Sequence, residues 1–158
     1  LIEGGSANAL LAKLLGERGD TAIVTSSSYI AHQLRQANSE VILLGGQYQA
    51  TSESLVGPLT RLCIQHVHFS KAFIGVDGFS VETGFTNRNM MRADVANTIL
   101  AKGKENIIIT DSSKFGRIHP GAIGPVGKIS HVLTDSGIPE ADANWLRAQQ
   151  ISLLLTSR

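Results

Sequence analysis

The sequence predicts an α/β fold with a mostly parallel sheet covered by helices on both faces. Three observations predict it. Short runs rich in Ile, Val and Leu recur along the chain. They are near-continuous rather than alternating, as strands buried on both faces require. Segments with apolar residues at helical spacing separate these runs, the pattern of repeated strand–helix units. Polar turns close the runs: Gly4-Gly5-Ser6, Thr25-Ser26-Ser27, Gly45-Gly46, Asp77-Gly78 and Asp111-Ser112-Ser113-Lys114. Ligands of such sheets bind beyond the carboxyl ends of the strands.

The chain opens on Leu1-Ile2-Glu3, which reads as the end of a strand. A helix is expected over residues 6–15, with Ala9, Leu10, Ala12 and Leu14 at helical spacing and Gly16 ending it. Residues 21–25 are β-branched and apolar and read as a buried strand. Ser28 is expected to cap a helix over residues 29–37. A strand over residues 40–44 precedes a polar connection over 47–54. A helix over residues 55–67 follows, with Pro58 tolerable only in its first turn. Residues 71–75 form the next strand, and a loop rich in hydroxyl and amide groups is expected over 79–89. A long helix spans residues 90–102 and stops at Gly103, with Met90, Met91, Val95, Ile99 and Leu100 expected in the core. Residues 105–110 read as a strand. Residues 118–127 hold two prolines and three glycines and read as loop. Residues 131–134 read as a strand, 139–149 as a surface helix and 151–155 as a last strand.

The 158 residues suit one domain with a core of its own. With 42% hydrophobic and 17% charged residues, the chain is globular rather than disordered. A net charge of +1 argues against an extended surface for nucleic-acid phosphates. The single Cys63 rules out an internal disulfide and fits a reducing, cytoplasmic setting. Within an apolar helix it reads as a buried small residue. No apolar run approaches membrane-spanning length. Because the chain starts in mid-strand without an initiator Met, the expectation is a fragment with an N-terminal portion upstream.

The turn at residues 4–6 is the first candidate site. Two glycines let the backbone approach a ligand closely, and free N–H groups at a helix start attract anions. A plain strand-to-helix turn is the alternative. Ser26, Ser27 and Ser28 are either hydroxyl donors to a phosphate or a capping cluster. Asp77-Gly78 is either a sugar-hydroxyl acceptor or a turn aspartate. Lys114 follows two serines and is either a counter-charge or a solvated lysine. Arg88 and Arg92 lie where one of them would close over an anion. None of the five histidines, His32, His66, His68, His119 and His131, has convincing metal-ligand spacing, so no metal is expected. A P-loop, a Gly-x-Gly-x-x-Gly string and a Gly-x-Ser-x-Gly elbow are all absent, so neither a nucleotide cofactor nor a serine nucleophile is expected.

Val41-Ile-Leu-Leu-Gly-Gly46, Val56-Gly-Pro58, Lys71-Ala-Phe-Ile-Gly-Val-Asp-Gly78, Gly84-Phe-Thr86 and Thr110-Asp-Ser-Ser-Lys-Phe-Gly116 together resemble the effector-sensing domain of DeoR-type bacterial transcription regulators. The resemblance spans essentially the whole chain, residues 1–158. It implies a Rossmann-like fold similar to ribose-5-phosphate isomerase, and a missing N-terminal winged helix-turn-helix that binds DNA. It also implies a phosphorylated sugar or sugar acid as effector, a repressor of carbohydrate metabolism, and a homodimer or homotetramer. Carried over by position, the resemblance places the phosphate at Gly5, Ser6 and Ala7 with Thr25, Ser26 and Ser27. Asp77 and Gly78 contact the sugar, Lys114 is the counter-charge, and the Phe85-Thr86 loop folds over. The chain departs from the family's pattern where Ala7 and Asn8 replace hydroxyl residues and Ser26 replaces an asparagine. The rival is a sugar-phosphate isomerase. Isomerisation needs a general base against the substrate C–H, yet Asn89-Met90-Met91-Arg92-Ala93-Asp94 holds no glutamate. Binding without turnover, with no catalytic residue, is therefore expected.

Overall fold

The computed structural model describes residues 1–157. In chain order the first elements are α1 (Ser6–Arg18), β1 (Ile23–Thr25), α2 (Ser28–Gln33), β2 (Val41–Leu43), β3 (Gln47–Gln49) and β4 (Ser54–Val56). Next come α3 (Pro58–His66), β5 (Lys71–Gly75), β6 (Gly78–Ser80), β7 (Gly84–Asn87) and α4 (Met90–Lys102). The chain closes with β8 (Glu105–Ile109), β9 (Gly121–Ile123), β10 (His131–Asp135), α5 (Glu140–Ala148) and β11 (Ser152–Thr156).

The central sheet is parallel throughout. β1 pairs with β2 on one side, and β5, β8, β10 and β11 pair in that order on the other. Ile2 joins the two halves by parallel bridges to Thr25 and Phe73. Its flanks are tied by Ile2 N to Val24 O at 2.8 Å and Glu3 N to Phe73 O at 2.9 Å. The opening residues are thus a short central strand, and the first polar turn starts from mid-sheet.

Alternation of side chains feeds two cores. Ile2, Ile23 and Phe73 face α1 and α2, packing with Ala9, Ala12, Ile30 and Leu34. Leu1, Val24, Ala72, Ile74, Ile108 and Val132 face the other way, against Ile64, Ile99, Leu100 and Leu146 of α3, α4 and α5. Helices therefore lie on both faces, as the apolar strand runs predict.

Several local expectations are corrected. Gly16 does not end α1. It lies inside the helix, where a β-carbon would sit 2.6 Å from Leu34 Cδ2, and the cap is Gly19 in the left-handed region at φ 73. The cap of α2 is Ser27 rather than Ser28, because the Ser27 hydroxyl accepts from Ile30 N at 3.2 Å. Helix α2 is also shorter than expected. Leu55 and Val56 belong to β4, which pairs antiparallel with β3 across the supposed polar connection, so Pro58 opens α3 at its first turn. The loop expected over residues 79–89 contains β6 and β7, which pair antiparallel and join β9 in a three-stranded sheet. Met90 and Met91 are 60% and 37% exposed rather than core, because they sit on the solvent side of α4's first turn. Cys63 is half-buried at the edge of the larger core rather than enclosed.

Candidate functional site

The carboxyl ends of the opening segment, β5 and β8 converge on a cavity of about 110 Å³. One wall is the turn into α1, from Gly4 to Asn8. The second is Gly75, Val76 and Asp77 at the end of β5. The third is Ile109, Thr110, Asp111 and Lys114 at the end of β8, and Arg92 of α4 completes the lining.

Backbone geometry builds the first wall. Gly5 caps α1 at φ 99, a conformation that side chains strongly disfavour, and no side chain caps the helix. The first helical N–H groups have no intrahelical carbonyl within reach. No acidic residue lies in the first turn. The helix therefore presents uncompensated positive partial charge to the cavity. Gly75 lets β5 approach this turn: a β-carbon there would stand 2.6 Å from Gly4 O. Asn8 is 1% exposed, and its Nδ2 donates to Gly4 O at 2.7 Å. Its Oδ1 is buried without a hydrogen-bond partner.

Charged groups of both signs line the rest. Arg92 forms a bidentate pair with Glu3, Nε to Oε1 at 3.0 Å and Nη2 to Oε2 at 2.9 Å. Glu3 is buried and Arg92 nearly so. The Glu3 carboxylate holds the Arg92 guanidinium more firmly protonated than usual; burial opposes this, and Asp77 adds to it. Asp77 Oδ2 accepts from Arg88 N at 3.0 Å. Lys114 Nζ lies 4.0 Å from Asp111 Oδ2. Hydrogen bonds from Ser113 keep the Asp111 carboxyl below its ordinary range, with the Lys114 charge adding to them. N–H donors thus come from the start of α1 and cations from Lys114 and Arg92, while Asp77 and Asp111 are acceptors and the buried Asn8 carbonyl is a further, unpartnered one.

The residues singled out from sequence divide into two sets. Gly5, Ser6, Ala7, Asp77 and Lys114 come together around the cavity. Thr25, Ser26 and Ser27 lie behind the first turn, buried, with their hydroxyls engaged by the scaffold. Ser26 Oγ donates to Glu3 O at 3.0 Å, Thr25 Oγ1 accepts from Ser27 N at 3.0 Å, and Ser27 caps α2. Gly78, Phe85 and Thr86 lie in the β6–β7 hairpin. Gly78 packs against Arg117 O, and Phe85 is wholly buried against Phe79 at 4.7 Å between ring centroids. Thr86 Oγ1 accepts from His119 N at 3.1 Å.

Glu3 and Asn8 were not singled out from the sequence as supporting or lining groups, whereas Asp111 belongs to a polar turn that the sequence placed at the carboxyl edge of the sheet. Glu3 and Arg92 are 89 positions apart, and nothing local signals their pairing. Asn8 carried a usable signal, since a polar residue in the first turn after two glycines faces what the turn faces. Among the described residues no cluster of His, Cys, Asp and Glu could hold a metal ion. No helix among them is long and apolar enough to cross a membrane.

A family model described as the DeoR C terminal sensor domain matches residues 1–136. A protein of Escherichia coli O157:H7 described as an aga operon transcriptional repressor is 27% identical over 156 residues, covering 98% of this chain and 58% of the relative. An Escherichia coli K12 protein described as an sgc region transcriptional regulator is 30% identical over 155 residues, covering 98% and 59%. The HTH-type transcriptional regulator GlpR of Haloferax volcanii is 27% identical over 141 residues, covering 89% and 55%. The chain thus spans under two thirds of the length of these relatives. Ribose 5-phosphate isomerase A of Methanocaldococcus jannaschii aligns with a TM-score of 0.48 at 18% identity, over 73% of this chain and 46% of that one.

Proposed function

The chain belongs to the family of DeoR C-terminal sensor domains, and from that premise we propose that its cavity binds a phosphorylated sugar or sugar acid as an effector. The uncapped start of α1, which lines one cavity together with Asp77 and Lys114, is the observation that carries this reading. An anionic group suits the helix start and Lys114. Sugar hydroxyls suit the carboxylate of Asp77. Thr25, Ser26 and Ser27 then support the first turn from behind, through the Ser26 bond to Glu3 O, rather than touch the phosphate. The β6–β7 hairpin with Gly78, Phe85 and Thr86 holds Asp77 in place, since Asp77 N donates to Thr86 O at 2.9 Å.

In the whole protein, effector binding would favour one arrangement of subunits or of a DNA-binding region, and so change operator affinity. The relatives' descriptions as transcriptional regulators, one of them a repressor of a named operon, support a transcriptional repressor, and action on carbohydrate metabolism in the cytoplasm belongs to the same proposal. Assembly as a homodimer or homotetramer belongs to the same reading. Binding without turnover is supported at α4. Arg92, a cation, occupies the cavity side of its first turns, while Asp94 pairs with Arg61 at 3.5 Å outside the cavity.

The test is a thermal-shift screen of this chain against sugar phosphates, sugar acids and their phosphates. A ligand at a hundred times its Kd adds about 2.7 kcal/mol of stability. Lys114→Ala and Asp77→Ala are each expected to weaken a hit about tenfold to a hundredfold, the loss of a charged hydrogen bond. A hit unaffected by both variants places the site elsewhere, and conversion of the hit to product overturns the sensor in favour of an isomerase.

A further inference from the structure

We infer that Asn8 makes this cradle select ligands that carry a proton donor beside their anionic group. The inference rests on the reading of the cavity as an anion site. Asn8 occupies the third position of α1, among the N–H groups that would grip the anion, and it is 1% exposed. Its Nδ2 is committed to Gly4 O at 2.7 Å, and its Oδ1 has no partner. The amide cannot turn over to hide that oxygen. Turned, it would set Oδ1 against Gly4 O, acceptor against acceptor, and Gly4 O is itself pinned close to Gly75.

A buried carbonyl without a donor is costly. A ligand that brings an O–H removes the cost, and one that brings only acceptor oxygens adds repulsion. Sites built around a buried polar group reject analogues lacking its partner far more strongly than apolar pockets reject a misfit. The other groups around the cavity reinforce the demand. Asp77 and Asp111 are acceptors, and Asp111 is held in its ionised form by Ser113. Of the cations, Arg92 already gives two N–H groups to Glu3, which leaves Lys114 as the freer one. The ligand class is therefore an oxyanion that retains an O–H, or an anion with a hydroxyl on a neighbouring carbon.

Calorimetric titration of the chain with four probes separates these sources. At pH 7 inorganic phosphate keeps an O–H and sulfate does not. At pH 8 glycerol phosphate and ethyl phosphate are both dianions, the second phosphate pKa being about 6, and only the first carries hydroxyls. The expected result is at least tenfold tighter binding of the donor-bearing member in one or both pairs, lost in Asn8→Ala. Preference within the phosphate–sulfate pair assigns the donor to the oxyanion, and preference within the ester pair assigns it to the carbon hydroxyl. Asn8→Ser keeps a hydroxyl that can donate to Gly4 O and removes the fixed carbonyl, and it is expected to lose most of the preference, which covers the case that Asn8→Ala does not fold. Equal binding within both pairs overturns the inference and leaves the anion site standing. A preference that survives Asn8→Ala overturns the assignment to Asn8. Binding of none of the four overturns the anion site itself.

Discussion

Glu3 and Arg92 show how one buried pair organises the cavity. Two hydrogen bonds hold the guanidinium flat on the carboxylate, and both groups are shielded from water. Such a pair adds little net stability, but removing one partner strands the other charge. Arg92→Met is therefore expected to cost about 3–5 kcal/mol in urea unfolding, and adding Glu3→Gln is expected to recover most of the loss. An additive double variant would show that the two side chains do not act as a pair. Asp111 makes a smaller, pH-dependent contribution. Its carboxyl titrates below its ordinary 3.8 in the folded chain. The stability it adds is therefore present above that value and is lost as pH falls through the lower, folded one. The melting temperature of Asp111→Asn is expected to lie below that of the parent at pH 6, with the gap closing below pH 4. The Glu3–Arg92 pairing was not legible in the sequence, because the two residues are 89 positions apart and only the fold brings them together, whereas Asp111 finds its partners Ser113 and Lys114 within its own turn.

At the scale of elements, the strands and long helices were legible and the caps and hairpins were not. β5 and α4 occupy the residues that their patterns predict, Lys71–Gly75 and Met90–Lys102. The run Ser26-Ser27-Ser28 is ambiguous by one position, since any of the three can cap a helix. The fold chooses Ser27, whose hydroxyl reaches Ile30 N, while Ser28 instead donates to Glu53 O. Ser27→Ala is thus expected to cost about 1 kcal/mol or more, and Ser28→Ala under about 0.5 kcal/mol, in denaturant melts. The β3–β4 and β6–β7–β9 pairings escaped sequence reading for a different reason. Their strands are three or four residues long and mix polar with apolar residues, so periodicity has too few turns to register.

Across the whole molecule, Phe79 ties the small antiparallel sheet to the main core. Its ring is buried and tilts against Phe85 at 4.7 Å, Phe115 at 5.3 Å and Trp145 at 5.7 Å. These partners come from β7, from the segment after β8 and from α5. Phe79→Ala is expected to cost about 3–5 kcal/mol, read as a lower urea midpoint by the fluorescence of Trp145, the only tryptophan. An unchanged midpoint would mean that the small sheet folds independently of the main one. The alternation of strand and helix, the parallel sheet and the place of the polar turns at its carboxyl edge can all be read along the chain. Burial on both faces and tight turning leave marks within a few neighbouring residues, so these features are local. Which polar groups the cavity receives depends instead on long-range packing. It turned the hydroxyls of Thr25, Ser26 and Ser27 into the scaffold, brought Arg92 to Glu3, and left the Asn8 carbonyl without a partner. The direction of a side chain at a turn is set by the strand beside it, and here that strand comes from elsewhere in the chain.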